Sequence, residues 1–151
     1  IDLGSDVFIG AMSVVNALGD VYENGNIIAG AREEDGFLDT YEYLKSQNSY
    51  SKPLGKNTTL TVVATNASMT KDEANKMAQV AHDGYARAIK PVHTVYDGDC
   101  IFAMSTGDVK YDVMTLCEAA AEATEKAIIN AVKSTEGVMG LPSYTEISKK
   151  G

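Results

Sequence analysis

The chain has 151 residues, with 13 Lys+Arg against 21 Asp+Glu for a net charge of −8. That length suits one domain with a true core, and the acidic balance argues against a nucleic-acid surface or an anionic membrane as partner. Apolar residues make up 44% and charged residues 23%, and no apolar run approaches the ~20 residues of a membrane span. The chain opens on Ile1 without an initiator Met or a signal-peptide pattern. Two cysteines, Cys100 and Cys117, form neither a disulfide framework nor a zinc set and read as reduced thiols of a cytoplasmic protein. His82 and His93 fall outside metal-binding spacings, and no glycine loop cradles a phosphate, so no cofactor or metal is expected.

The first element is an apolar stretch from Asp6 to Val15, β-branched at its end. Asn24-Gly25 then supplies hairpin turn chemistry ahead of Ile27-Ile28-Ala29. From Arg32 to Asn57 the composition turns polar, with Glu33-Glu34-Asp35-Gly36, three tyrosines (Tyr41, Tyr43, Tyr50) and a Ser/Asn/Lys/Pro/Gly cluster. Without a clean period, this stretch reads as a linker or a functional loop. Order returns at Thr58, where Thr58 to Thr65 is rich in β-branched residues and predicts a buried strand ending near Asn66.

Thr70 and Glu73 have the spacing of a capping box, and Ala74, Met77, Ala78, Ala81, Tyr85 and Ala88 follow at helical spacing. That helix is expected to stop near Lys90, because Pro91 disfavours helical geometry at the residue before it. Cys100 to Ser105 predicts another buried strand, and Asp112 to Lys133 a second long amphipathic helix. The tail from Ser143 reads as polar and frayed. The order strand, strand, loop, strand, helix, strand, helix implies an α+β or layered arrangement with helices against a sheet.

Three places could carry chemistry. At Asn57-Thr58 a polar loop meets a strand that begins with a hydroxyl residue. Cleavage there would make Thr58 an N-terminal nucleophile whose own amine serves as base; alternatively, threonine is simply favoured at a strand start. Asp97-Gly98-Asp99 reads either as a turn or as carboxylates that orient and exchange protons with a nucleophile. Asn16, at the end of the first strand, either terminates pairing or aims an amide at a developing oxyanion. His93 and Cys100 are weak candidates for a thiol-imidazole pair, since a cysteine opening an apolar strand is normally a core residue.

Taken together, Ser13–Val21, Ile28–Arg32, Asn57–Ala67, Ala81–Arg87 and Asp97–Ala103 resemble the C-terminal half of the DmpA-type family, the L-aminopeptidase/D-esterase and β-aminopeptidase enzymes. The resemblance implies a layered αββα sandwich of the Ntn-hydrolase kind and a precursor that cuts itself between Asn57 and Thr58. Residues 1–57 would then close the alpha-subunit region and residues 58–151 form the beta-subunit region. On this reading Thr58 is the nucleophile, Asn16 the oxyanion donor and Asp99 the acidic support. Asp97 is a possible relay, standing where the characterised aminopeptidases carry a serine.

The implied substrates are small peptides, amides or esters. The implied partners are an N-terminal half that precedes Ile1 and further copies of a cleaved heterodimer in a homo-oligomer. An acyltransferase similar to ornithine acetyltransferase is the alternative enzyme. An inactive binding module on the same scaffold is the alternative from another class.

Overall fold

The structure is a computed structural model and describes residues 1–34, 36–47 and 57–149. Its centre is a three-stranded sheet of β1 (Ile9–Asn16), β6 (Thr58–Ala67) and β8 (Cys100–Val109), with β6 in the middle. Strand β1 pairs antiparallel with β6 over Ile9↔Thr65 through Asn16↔Thr58. Strand β8 lies parallel to β6, which requires a crossover, and α2 (Lys71–Ala88) provides it.

The expected capping box opens α2: Thr70 Oγ1 accepts from the Glu73 N–H, and a Glu73 carboxylate oxygen accepts from the Thr70 N–H at 2.7 Å. These bonds hold the Glu73 carboxyl below its usual range. The helix stops at Ala88, and Ile89–Lys90 becomes the short strand β7. Helix α3 (Val113–Ser134) is capped by Asp112, which accepts from the Thr115 N–H at 2.7 Å.

Both long helices cover the same face of the sheet. Between helices and sheet lie Met77, Ala81, Tyr85, Leu116, Ala120, Ile128, Val63 and Ile101, all buried. Small residues let the helices approach closely: a Cβ on Gly84 would collide with the Ala121 carbonyl of α3. A second sheet joins β2 (Asp20–Glu23), β3 (Asn26–Ala29) and β7 in the order β3-β2-β7. Its hairpin turns at Asn24 and Gly25, with φ of 51° and 80°, the left-handed pair that the Asn-Gly dipeptide predicts.

Up to Ser46 the polar stretch after Arg32 is more ordered than its composition suggests, and residues 48–56 of it lie outside the described residues. Residues Arg32–Glu33 and Gly36–Phe37 pair as β4 and β5, and Thr40–Ser46 forms α1. A fully buried carboxylate organises this region. Asp20 accepts from the Thr40 N–H at 2.6 Å, the Thr40 hydroxyl at 2.9 Å and the Ala31 N–H at 3.3 Å. Tyr41 and Tyr43 ride on α1, with the Lys90 ammonium 4.6 Å from the Tyr41 ring centroid; Tyr50 lies outside the described residues.

The tail is also less frayed than expected. Ser143 and Glu146 form a second capping box, which opens the short helix α4 (Tyr144–Ser148). Strand β8 runs four residues beyond Ser105, and Gly107 permits this by letting the chain pass against the Asn66 backbone. No described helix is long and apolar enough to cross a membrane.

No helix among the described residues covers the other face of the β1-β6-β8 sheet. Met12 (72% exposed), Val14 (67%), Leu60, Phe102 (59%) and Met104 occupy it, and the register Met12↔Val62↔Phe102 makes them one contiguous surface.

Candidate active site

Thr58 sits at the first position of the central strand, directly opposite Asn16. Side chains alternate along a strand, so Thr58 shares the open face with Leu60 and Val62, whereas Thr59, Thr61 and Thr65 point under the helices and are buried. A direct cross-strand pair has its Cβ atoms about 5 Å apart, and the Asn16 amide and the Thr58 hydroxyl therefore stand side by side at one end of that face. On the other flank, Asn57 bridges to Asp97 in parallel register. This brings Gly98 beside Thr58, ahead of the Leu60↔Cys100 pair.

The junction itself has a specific geometry. The Thr58 hydroxyl donates to the Asn57 carbonyl oxygen at 2.6 Å, and the Gly98 N–H donates to that same oxygen at 2.8 Å. The carbonyl before Thr58 is thus polarised by a backbone donor, with the hydroxyl in contact. Only glycine fits at 98 without disturbance, since a Cβ there would stand 2.9 Å from Thr58 Oγ1.

The two aspartates of the Asp-Gly-Asp motif do different things. Asp97 Oδ2 accepts from the Thr94 N–H at 2.9 Å and the Thr94 hydroxyl at 2.6 Å, which is the turn the sequence pattern allows. Its Oδ1 is buried with no hydrogen-bond partner. Asp99 lies on the helix side of the sheet with its side chain 5% exposed. Its Oδ1 accepts from the Thr59 N–H at 2.9 Å, and its Oδ2 pairs with His93 Nδ1 at 2.9 Å.

The structure places the sequence candidates Thr58, Asn57, Asn16, Asp97 and Asp99 in one neighbourhood, and it brings two further groups beside them. One is the Gly98 N–H, a backbone group that no residue type reveals. The other is His93, which meets Asp99 rather than Cys100. His93 packs edge-on to His82, with ring centroids 4.8 Å apart, and lies 5.7 Å from the Tyr85 ring. Burial first, then the neighbouring His93, pushes the His82 imidazole below its usual value. The Tyr85 hydroxyl is buried among Thr61 Oγ1 (2.9 Å), the Thr59 carbonyl (3.0 Å) and the Cys100 carbonyl (3.2 Å), and burial pushes its phenol up to about 12. No group of three or more metal-ligating side chains occurs among the described residues.

Comparison with known proteins identifies the family. A family model described as peptidase family S58 matches residues 2–145. An uncharacterised aminopeptidase of Mycobacterium tuberculosis (strain ATCC 25618 / H37Rv) is 30% identical over 169 residues, covering 96% of this chain and 49% of the relative. One from Mycobacterium leprae (strain TN) is 31% identical, covering 95% of this chain and 45% of the relative. A 6-aminohexanoate-oligomer endohydrolase of Kocuria sp. (strain KY2) is 30% identical over 110 residues, 69% of this chain and 31% of that enzyme. The chain spans about half the length of the mycobacterial relatives.

Among solved structures, the L-aminopeptidase D-Ala-esterase/amidase from Ochrobactrum anthropi superposes with a TM-score of 0.56 at 19% identity, over 99% of this chain and 48% of that one. A Burkholderia sp. beta-aminopeptidase gives 0.51 at 21% identity, over 89% and 44%. The fold is that of the Ntn-hydrolase variant which the first of these represents. It is α+β, the class read from the order of elements.

Proposed function

Because the chain belongs to peptidase family S58, we propose that it carries the nucleophile half of a self-processing aminopeptidase, with Thr58 as the nucleophile. The observation that carries this reading is the Thr58 hydroxyl in contact with the Asn57 carbonyl, which also receives the Gly98 N–H. In processing, Thr58 Oγ attacks the Asn57 carbonyl carbon, and the Gly98 N–H stabilises the oxyanion that forms. The hydroxyl proton passes to the Thr58 nitrogen as the C–N bond breaks, leaving Asn57 esterified to Thr58 Oγ and the Thr58 amine free. Water hydrolyses the ester, yielding an Asn57 carboxylate and an N-terminal threonine.

In turnover the freed amine takes the hydroxyl proton as Oγ attacks a substrate carbonyl, and an acyl-enzyme results. Asn16, across the strand pair, donates to the oxyanion. Asp99 supports the nucleophile from behind through the Thr59 peptide. Asp97 keeps one unengaged carboxylate oxygen available to the relay. Substrates are small N-terminal amino-acid amides, esters or peptides. The Kocuria relative is by name an endohydrolase of 6-aminohexanoate oligomers, which favours unbranched amides among these.

The uncovered sheet face is the surface against which the rest of the protein closes to form the second αβ layer and the remaining pocket wall. We further expect cleaved heterodimers to assemble symmetrically. The unpaired thiols Cys100 and Cys117 fit a cytoplasmic setting.

Intact mass of the full-length protein tests the reading. The parent is expected to yield a fragment beginning at Thr58, and Thr58→Ala is expected to stay whole and lose turnover by about 10⁴-fold or more. A parent that remains uncut, or a Thr58→Ala protein that is cut, overturns it.

A further inference from the structure

Asp99 stands one residue behind the nucleophile, almost fully enclosed, with two donors on its carboxylate: the Thr59 N–H at 2.9 Å and His93 Nδ1 at 2.9 Å. The first bond fixes the peptide that leaves Thr58. The second is supplied by a histidine in the left-handed region, with φ of 53°. Histidine, like Asn and Asp, is one of the few residues with a side chain that is enriched there, so the backbone accommodates the imidazole at this position. His82 and Tyr85, both from α2, pack against its ring. Tyr85 in turn bonds the Thr59 carbonyl. Thr59 is therefore gripped at its N–H through Asp99 and at its carbonyl through Tyr85, and His93 touches both arms of the grip.

We propose that His93 is a positioning residue which, by orienting the Asp99 carboxylate, fixes the Thr59 peptide and so the attack direction of the Thr58 hydroxyl. A buried carboxylate left with one donor recruits water or swings toward another partner. Either change releases the Thr59 N–H, and a nucleophile displaced by a fraction of an ångström loses rate before it loses affinity. The role needs only an N–H at Nδ1, which the imidazolium and one neutral tautomer both provide. His93 is 39% exposed at its side chain, so the space it occupies is open to a small molecule. This inference rests on Thr58 being the nucleophile.

The test uses the full-length protein and two readouts: appearance of the Thr58-initiated fragment by intact mass, and kcat and KM on a small aminoacyl anilide. His93→Gly keeps the backbone geometry and removes the donor. It is expected to slow processing and kcat by about 10- to 100-fold with KM within about twofold, and added imidazole is expected to restore part of the rate. His93→Asn, which tolerates the same φ and offers an amide N–H, is expected to keep most of kcat. A His93→Gly protein at the parental rate, or a His93→Asn protein as slow as a His93→Gly protein that imidazole does not move, overturns the proposal.

If His93→Gly does not fold, His93→Ser, too short to reach Asp99, is compared in the parental and Asp99→Asn backgrounds. A loss that vanishes in the Asp99→Asn background supports coupling through Asp99, and equal losses in both overturn it. Thr58→Ala separates the two ideas. If it still processes and turns over, the nucleophile reading fails. If it is inert while the His93 variants behave as the parent, only the positioning role fails.

Discussion

The two faces of the β1-β6-β8 sheet are both largely apolar, which departs from the usual pattern of a half-buried sheet. Under the helices, β6 presents Thr59, Thr61 and Thr65. Two of these hydroxyls are bonded inside: Thr61 Oγ1 to Ser13 and Tyr85, and Thr65 Oγ1 to the Phe8 carbonyl at 2.8 Å. On the open side the same strand and its neighbours present Leu60, Val62, Met12, Val14, Phe102 and Met104. An antiparallel sheet with one wet face normally carries polar residues there. The open face is instead composed as an interior, and the candidate nucleophile stands at its edge. The candidate nucleophile's hydroxyl is thus presented where a second layer would close over it, while the Thr61 and Thr65 hydroxyls beneath the helices are tied into the interior.

The largest effect that could break this contrast is in the covered core. Leu116→Ala is expected to cost about 2–5 kcal/mol by chemical denaturation. Phe102→Ser on the open face should move the stability of the 151-residue chain by under about 0.5 kcal/mol. In the full-length protein Phe102→Ser should approach the Leu116→Ala loss, and a persistently small effect there would mean that nothing covers the face.

Gly98→Ala places a Cβ against the Thr58 hydroxyl. Processing should slow by about 100-fold with little change in melting temperature, as measured by fragment yield against time.

On the covered side, Tyr85→Phe removes a hydroxyl from the Thr59 and Cys100 carbonyls and should cost about 1–3 kcal/mol. Burial pushes the Tyr85 phenol up to about 12, above the ~10 of an unfolded tyrosine. The folded state therefore disfavours ionisation. The stability this contributes is full below pH about 10 and is lost as pH rises toward about 12. Tyr85→Phe should show a shallower alkaline decline than the parent in a pH series of melting curves.

The smallest effect should come from the rim of the helix layer. Arg87→Gln removes the 3.3 Å pair with Glu118, both half-exposed, and is expected to change stability by at most about 1 kcal/mol.

What could be read from the sequence was local. The strand from Thr58, the Thr70/Glu73 box, the Asn24-Gly25 turn and the helix after Asp112 each announce themselves within a few residues, and each forms as expected. The short elements of residues 32–46 were illegible because what orders them is distant in sequence: Asp20 reaches Thr40 across 20 positions. The Ser143/Glu146 box was a readable signal masked by a polar tail. In the site, residue types pointed to Thr58, Asn16 and the Asp-Gly-Asp turn, since each belongs to a strand end. The Gly98 N–H and the His93 contact depend on strand register and on how α2 lies over the sheet, which no spacing encodes.

The eight-pair ladder between β1 and β6 has a consequence for the life of the molecule. The two strands flank the proposed cut, one on each side. Before cutting, they are joined in one chain and can find each other again after unfolding, at the cost of closing a single loop. After cutting, the same ladder joins two separate polypeptides, and refolding requires their encounter in solution. Native protein would look the same in both states. Recovery from denaturation would become concentration-dependent only after processing, so maturation would be recorded in the protein's reversibility.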